Sequence, residues 1–269
     1  MILSGELKIA IQAAIDAGKA TLQYYGKPMQ ITNKSDYSPL TQADIEADRI
    51  IACRLAVTQI PVLSEESKSI AYSERKQWKQ YWLVDPLDGT KEFINNSNEY
   101  TVNIALMLNN KPVAGIIYVP AKDTLYYGRA GEGAYKLEKA GTLAEDILFK
   151  PGVYMPLPGN TTTDLVVIAS RSHPDPNTLS FIKNIESSYN QVSIENYGSS
   201  LKFCMLAEGK ADIYPRLGPT MEWDIAAGHA IIEAAGINIV QYKTKTPLVF
   251  NKENLLNPWF VAFGKKFVF

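Results

Sequence analysis

The chain is poor in the residues that most often give a function away. It has two cysteines and two histidines in 269 residues. Cys53 and Cys204 are too few and too far apart for a disulfide framework or a cysteine-based zinc site. Both sit in apolar, helix-like patterns and are expected to be reduced, buried small hydrophobes. An excess of one charge is also missing: 27 Lys and Arg face 28 Asp and Glu, for a net charge of −1. That excludes the basic footprint of a nucleic-acid binder. An anionic ligand must then be met locally, by metal ions, helix N-termini or a few Lys and Arg. No apolar run comes near the roughly 18 residues that span a bilayer. The opening MILSGELK has neither a charged n-region nor an apolar h-region, so no signal peptide is expected, and the cytoplasm is the expected compartment. Attachment to the inner face of the inner membrane, and the choice between monomer and homodimer, stay open. Repeats and low-complexity tracts are absent. Gly128-Arg-Ala-Gly-Glu-Gly133 fits neither G-x-G-x-x-G nor G-x-x-x-x-G-K and reads as a hairpin turn.

What is present is a 46% hydrophobic chain, long enough for one large core or two smaller ones. Ser4 can cap a first amphipathic helix carrying Leu7, Ile11, Ala14, Ile15 and Leu22, with Gly26 as its end. Thr41-Gln-Ala-Asp44 opens a second helix, over about 42–58, with a capping-box-like start. Short strands are expected at 60–64 and 81–84. A hairpin follows over 101–108 and 113–119, split at Asn109-Asn-Lys-Pro112, then strands at 124–127 and 133–137. This first part reads as two helices and a mostly antiparallel sheet. Weak periodicity with Pro and Gly over 138–163 puts a boundary there, between an α+β domain (1–150) and an α/β domain (151–269). In the second, strands at 165–169, 192–196 and 211–215 alternate with helices at about 174–187, 200–207 and 224–235. Strands at 237–240, 247–250 and 259–263 close it.

The most informative stretch is Tyr81-Trp-Leu-Val-Asp-Pro-Leu-Asp-Gly-Thr-Lys-Glu-Phe93. An apolar run stops in two acids three residues apart, Asp85 and Asp88. Asp, Pro and Gly alone would make an ordinary β-turn. Glu65-Glu66 alone would make a solvated turn, and Asp224 alone an ordinary helix cap. Taken together, Glu65, Asp85, Asp88 and Asp224 all stand at ends of apolar elements, where a rigid scaffold can aim side chains into one cleft. Magnesium is a hard cation that takes oxygen ligands and shares its shell with phosphate and water. The Asp85–Asp88 turn offers two carboxylates and the Leu87 carbonyl, Pro86 stiffens it, and the Gly89 and Thr90 amides can meet a phosphate oxygen.

Asp85-Pro-Leu-Asp-Gly-Thr90, with Glu65-Glu66 upstream and Trp223-Asp-Ile-Ala-Ala-Gly228 downstream, resembles the inositol monophosphatase superfamily of Mg²⁺-dependent, often lithium-sensitive phosphatases. Within it, Lys91-Glu92-Phe93 departs from the Thr-Asn-Phe-like continuation of the inositol enzymes. Together with Lys34–Asp44 and Gly198-Ser-Ser-Leu-Lys-Phe203, it resembles the 3'(2'),5'-bisphosphate nucleotidases. Leu40 stands where Val is common, a small change.

The resemblance implies a layered α-β-α-β-α sandwich of the inositol monophosphatase and fructose-1,6-bisphosphatase type. The first domain would carry most metal ligands and the second would complete the site. It implies hydrolysis of the 3'-phosphate of adenosine 3',5'-bisphosphate, a by-product of sulfate assimilation, to AMP and phosphate. Two or more Mg²⁺ are implied, one on Glu65, Asp85 and the Leu87 carbonyl, another on Asp85, Asp88 and Asp224. Thr90 with Asp44, and Glu65 nearby, would orient and deprotonate the attacking water. Glu65, Leu87, Asp88, Gly89, Thr90 and Asp224 would surround the reacting phosphate, and Ser199, Lys202 and Arg216 would contact the nucleotide. An inositol-phosphate phosphatase on the same scaffold is the alternative, and a non-catalytic nucleotide sensor a more distant one. His229 reads as structural. His173, before Pro174, is either a loop residue or a nucleotide contact, and Asp36 either forms a turn or supports the metals. Lys265-Lys266 are too few for a membrane contact and suggest a terminal strand.

Overall fold

The computed structural model describes residues 4–28, 30–33, 39–66, 70–150, 154–158, 164–170, 176–189, 191–267 and 269. His173 and Asp36 lie outside them. The first elements are α1 (Gly5–Leu22), β1 (Ile31–Asn33), β2 (Pro39–Thr41), α2 (Gln42–Leu55), β3 (Val62–Ser64), α3 (Tyr72–Arg75), β4 (Gln80–Asp88) and α4 (Thr90–Ile94). Then come β5 (Thr101–Leu108), β6 (Lys111–Val119), β7 (Thr124–Arg129), β8 (Gly133–Glu138), α5 (Glu145–Leu148) and β9 (Met155–Leu157). The rest are β10 (Leu165–Ser170), α6 (Pro176–Glu186), β11 (Val192–Tyr197), α7 (Leu201–Ala207), β12 (Ile213–Arg216), α8 (Glu222–Ala234), β13 (Asn238–Gln241) and β14 (Phe260–Phe263).

β3 to β9 form a seven-stranded sheet in chain order, parallel only between β3 and β4. Asn109 and Asn110 both have positive φ, the conformation of the two-residue turn that matches strand twist, and so close the β5–β6 hairpin. A five-stranded sheet runs β11-β10-β12-β14-β13, with β10 parallel to β11 and β12 and the remaining pairs antiparallel.

Side-chain alternation sorts these elements into layers. Trp82, Val84, Val102, Ile104, Ile116 and Tyr118 face one way and pack on α1 and α2. Tyr81, Leu83, Ala105, Met107, Ile117 and Val119 face the other way and pack on α7 and α8. Both faces are covered, so these strands read as continuous apolar runs rather than alternating ones. Val166, Ile168, Tyr214 and Phe260 press the five-stranded sheet onto the far side of α7 and α8, and Val167, Ile213 and Val261 meet Phe181 and Ile182 of α6. The order is α1/α2, sheet, α7/α8, sheet, α6: the five-layered sandwich that the resemblance implied.

Several local expectations are corrected. Cys53 is exposed, not buried. The buried stripe of α2 is Ala43, Asp44, Ala47, Ile51 and Leu55, and position 53 falls off it. The segment 247–250 is not a strand: Leu248 and Phe250 are buried on either side of the exposed Val249, but no ladder partner among the described residues accompanies them. β14 ends at Phe263, so Lys265 and Lys266 lie beyond it, with Lys266 3.2 Å from Asp212. α1 ends at Leu22 and Gly26 falls in the turns that follow. No helix among the described residues is long and apolar enough to cross a membrane.

α8 lies on a floor that two glycines open for it. Gly115 of β6 pairs with Gly128 of β7. A Cβ on Gly115 would stand 2.0 Å from the Ala227 carbonyl oxygen, and one on Gly128 2.6 Å from Ile231 Cα. Backbone cannot give way as a flexible side chain can, so Gly115→Ala must lift α8 from the sheet. We predict a loss of about 1–3 kcal/mol, read as a lower Tm by circular dichroism; an unchanged Tm would contradict this packing.

Candidate active site

β4 does not end where the apolar run ends. Asp85, Pro86, Leu87 and Asp88 belong to the strand, and the expected turn is a β-bulge: Asp85 faces Asn103, and Asp88 faces Thr101. Pro86 has no N–H to give the ladder, and the Leu87 N–H turns to Asp85 Oδ1 at 3.1 Å. The extra residue bends the strand and re-aims the side chains. Gly89 then takes φ +90°, a left-handed turn into α4.

Glu65 follows β3, and its N–H donates to the Val84 carbonyl (3.1 Å), which ties it beside β4. The preceding Ser64 hydroxyl donates to Asp48 Oδ1 at 2.5 Å and accepts from the Glu66 N–H at 3.4 Å. Asp224 was expected to open its helix. It is the third residue of α8 instead, and its Oδ2 accepts the Met221 N–H at 2.9 Å. The first turn of a helix favours negative charge there. Asn257 Nδ2 donates to the Met221 carbonyl (2.6 Å), and the fully buried Glu222 accepts the Asn251 and Lys252 N–H groups. The loop after residue 250 thereby grips the start of α8.

These elements bring one carboxylate oxygen each from Glu65, Asp85 and Asp224 within 4.8 Å of one another. Burial pushes the Asp85 carboxyl well above its ordinary value, helped by the charges of Glu65, Asp88 and Asp224. Burial, then Asp88 and Glu65, do the same to Asp224. Burial also raises Asp88, opposed by the Ser200 hydroxyl and the Lys202 charge. Mutual repulsion in a dry site fits a set built around positive charge, and the donors are hard oxygens. The residues therefore suit a divalent cation.

Asp88 lines the same cleft, outside that tight trio. The Ser200 hydroxyl lies 2.5 Å from Asp88 Oδ2 and 2.6 Å from the Asp224 carbonyl, and accepts from Asn103 Nδ2 at 2.9 Å. Thr90 Oγ1 donates to Asp44 Oδ1 at 3.2 Å. The buried Asp44 is fixed through Oδ2 by the N–H and hydroxyl of Thr41, the helix cap read from the sequence. The cleft, about 700 Å³, also takes in Gly89, Ser199, Lys202, Tyr214, Arg216 and Trp259. Lys202 is buried, with Nζ 5.7 Å from the Tyr214 ring and 3.3 Å from the Tyr197 carbonyl. Burial pulls its pKa down to about 8, against the pull of Asp88. Arg216 donates to the Pro219 carbonyl, and its buried Nε has no acceptor among the described residues. His229 packs on Phe250 inside the fold, away from this cleft.

Residues 3–261 match the inositol monophosphatase family. The chain belongs to that family. It is 43% identical over 258 residues to the 3'(2'),5'-bisphosphate nucleotidase CysQ of Salmonella typhimurium, covering 94% of this chain and 98% of that protein. The protein of the same name from Escherichia coli K12 is 41% identical over 254 residues, covering 93% and 96%. The crystal structure of CysQ from Bacteroides thetaiotaomicron, described as a bacterial member of the inositol monophosphatase family, superposes with a TM-score of 0.87 at 45% identity, covering 96% of each chain. The resemblance read from the sequence holds at the level of family, and the subfamily read from Lys91-Glu92-Phe93 is the one these relatives carry in their names.

At this cleft the sequence assigned no role to Asn103, to Ser200 beyond its place in the Gly198–Phe203 motif, or to Ser64 with Asp48; the first two reach Asp88 and the last two stand beside Glu65. Asn103 had left a signal: a polar residue in the middle of the run Thr-Val-Asn-Ile-Ala-Leu. Ser64 and Asp48, 16 residues apart in sequence, left none.

The repulsion has a consequence for stability. A carboxyl whose folded pKa lies above its unfolded one binds more protons when folded. Its contribution to stability therefore falls as pH rises above the ordinary carboxylate range, about 4. We predict that metal-free wild type loses Tm relative to Asp85→Asn as the pH is raised through that window. Millimolar Mg²⁺ should raise the wild-type Tm and scarcely move that of Asp85→Asn. Equal Mg²⁺ shifts in both proteins would remove Asp85 from the cation site.

Proposed function

We propose that the chain hydrolyses the 3'-phosphate of adenosine 3',5'-bisphosphate, or of its sulfated relative, to give AMP and phosphate, with Mg²⁺ as cofactor. In this reading it recycles a by-product of sulfate assimilation. The observation that carries the substrate assignment is the second cationic position in the cleft. Lys202 is buried at the wall that also carries Arg216, and the Arg216 Nε–H has no acceptor among the described residues. A buried donor without a partner is costly, and a second phosphate would satisfy it. A monophosphate at the acidic end would leave it unmet. The names of the relatives support the same substrate class.

Glu65, Asp85, the Leu87 carbonyl, Asp88 and Asp224 would hold two or more Mg²⁺. When bound, these ions supply Lewis acidity, neutralise developing charge and make water nucleophilic near neutral pH. The protein's part is positioning, as in phosphoryl transfer generally. The Thr90 hydroxyl donates its hydrogen bond to Asp44 Oδ1, so its oxygen lone pairs are left as acceptors for a hydrogen of the attacking water. Asp44 is itself locked by Thr41, which fixes the direction of that hydrogen bond. Glu65, at the adjacent strand end, is the neighbouring carboxylate that can take the proton as the oxygen attacks phosphorus. The P–O bond to the ribose 3'-oxygen then breaks, that oxygen takes a proton from solvent water to leave as the hydroxyl, and Glu65 returns its proton to solvent. The Gly89 and Thr90 amides begin α4 and can meet the phosphate oxygens. The two halves of the chain contribute different parts of the site. Residues 1–150 carry Glu65, Asp85 and Asp88, and 151–269 supply Asp224 and the nucleotide contacts.

The deciding experiment is phosphate release from adenosine 3',5'-bisphosphate and inositol 1-phosphate, side by side with Mg²⁺, with and without lithium. Preference for the nucleotide is expected, with lithium inhibition. Preference for the inositol ester would overturn the substrate assignment while keeping the acidic site, and no release from any ester would favour a nucleotide-sensing role. We further predict that Lys202→Ala loses about tenfold or more in kcat/KM on the nucleotide, a lost charged contact, and far less on inositol 1-phosphate. Equal losses would exclude Lys202 from nucleotide contact.

A further inference from the structure

The segment carrying Ser199 and Lys202 lines the cleft, and Glu99 anchors it. Glu99 is buried just before β5. Its Oε2 accepts the Gly198 N–H at 2.7 Å, and its main-chain carbonyl accepts the Ser199 hydroxyl through a short bond. Two successive residues of one loop are thus held by a single residue about 100 positions earlier. The loop needs holding. Ser199 has φ +42°, an unfavourable backbone for a residue with a side chain. Space is also closed from below: a Cβ on Gly198 would stand 2.7 Å from Glu92 Cγ, and one on Gly89 3.1 Å from Ser199 Cβ. On its other side the segment is tied by the Ser200 hydroxyl to Asp88 and the Asp224 carbonyl.

We propose that Glu99 is a positioning residue that determines substrate class. By clamping Gly198 and Ser199 it sets where Ser199 and Lys202 present themselves to the second phosphate, and so selects a nucleotide bisphosphate over a monophosphate ester. The proposal rests on the nucleotidase reading above. Glu99 does not line the cleft and acts through the loop it clamps. Its loss therefore falls on substrate affinity rather than on chemistry.

The test is steady-state kinetics of Glu99→Ala, Glu99→Gln and Gly198→Ala on adenosine 3',5'-bisphosphate and inositol 1-phosphate. Glu99→Ala should raise KM for the nucleotide about tenfold or more, with kcat and inositol-ester turnover within about twofold of wild type. Glu99→Gln keeps an acceptor oxygen for the Gly198 N–H and should restore most of the affinity. Gly198→Ala disturbs the same loop from the Glu92 side without removing a carboxylate. It should reproduce the KM effect, and it carries the test should Glu99→Ala fail to fold. On a wild type that prefers the nucleotide, three results would each overturn the role of Glu99 alone: an unchanged KM in Glu99→Ala, equal losses on both substrates, or Glu99→Gln no better than Glu99→Ala. A wild type that prefers inositol 1-phosphate would instead overturn the substrate assignment and this proposal with it.

Discussion

Carboxylates that repel one another must be held close in a place with little water, and most of the surrounding structure answers that demand. Glu65, Asp85 and Asp224 would separate if their backbones were free. Each is instead tied down by its own main chain. The Glu65 N–H is bonded to β4, the Asp85 side chain to the Leu87 N–H, and the Asp224 side chain to the Met221 N–H. None of these contacts neutralises charge. They fix direction and leave the charge for a bound cation, which is how a site can bind metal tightly while the empty protein carries strain.

Two of the three acids come from one sheet edge, but the third arrives on α8, and this makes α8 the element on which the halves of the chain agree. Its central residues lie against the paired Gly115 and Gly128, closer than any side chain would allow. Gly228 admits Phe203 of α7 on the other side, where a Cβ would stand 2.3 Å from the Phe203 ring. Small residues on both faces set the depth of the helix, and the loop around Asn251 and Asn257 sets its start. The site's geometry is therefore a property of helix packing as much as of the acids themselves. This explains why a stretch such as Trp223-Asp-Ile-Ala-Ala-Gly228 is dominated by small residues around a single acid.

What could be read in the sequence was what local pattern encodes. The strands of the large sheet were legible because burial on both faces leaves continuous apolar runs, and the Thr41–Asp44 cap because it is a local hydrogen-bond motif. The acids stood out because they interrupt apolar elements. The errors occurred where pattern and partner separate. Leu248 and Phe250 alternate inward as strand residues do, yet they plug a loop, since alternation reports burial and not pairing. Cys53 looked helical and apolar, but its angular position on α2 points outward. The Asp85–Asp88 segment looked like a turn because Pro and Gly mark both turns and bulges, and only the facing strand distinguishes them.

The same logic separates the two ends of the cleft. The acidic end is built from residues next to one another along β4 or at element ends, so short motifs reveal it. The cationic end depends on a loop that crosses from β11 to α7, and its shape is fixed by Glu99 and Glu92 from the other half of the chain. In the proposed mechanism the chemistry rests on the acids, Thr90 and Asp44, so a scaffold of this family could keep the first end and alter the second. Substrate choice would then follow from the conformation of a few residues around Gly198, where a serine at φ +42° and a glycine packed on Glu92 would set what Lys202 can reach. On this proposal specificity would be set by backbone held from a distance, by Glu99 and Glu92, and substitutions outside the cleft would change the substrate without touching the acidic site.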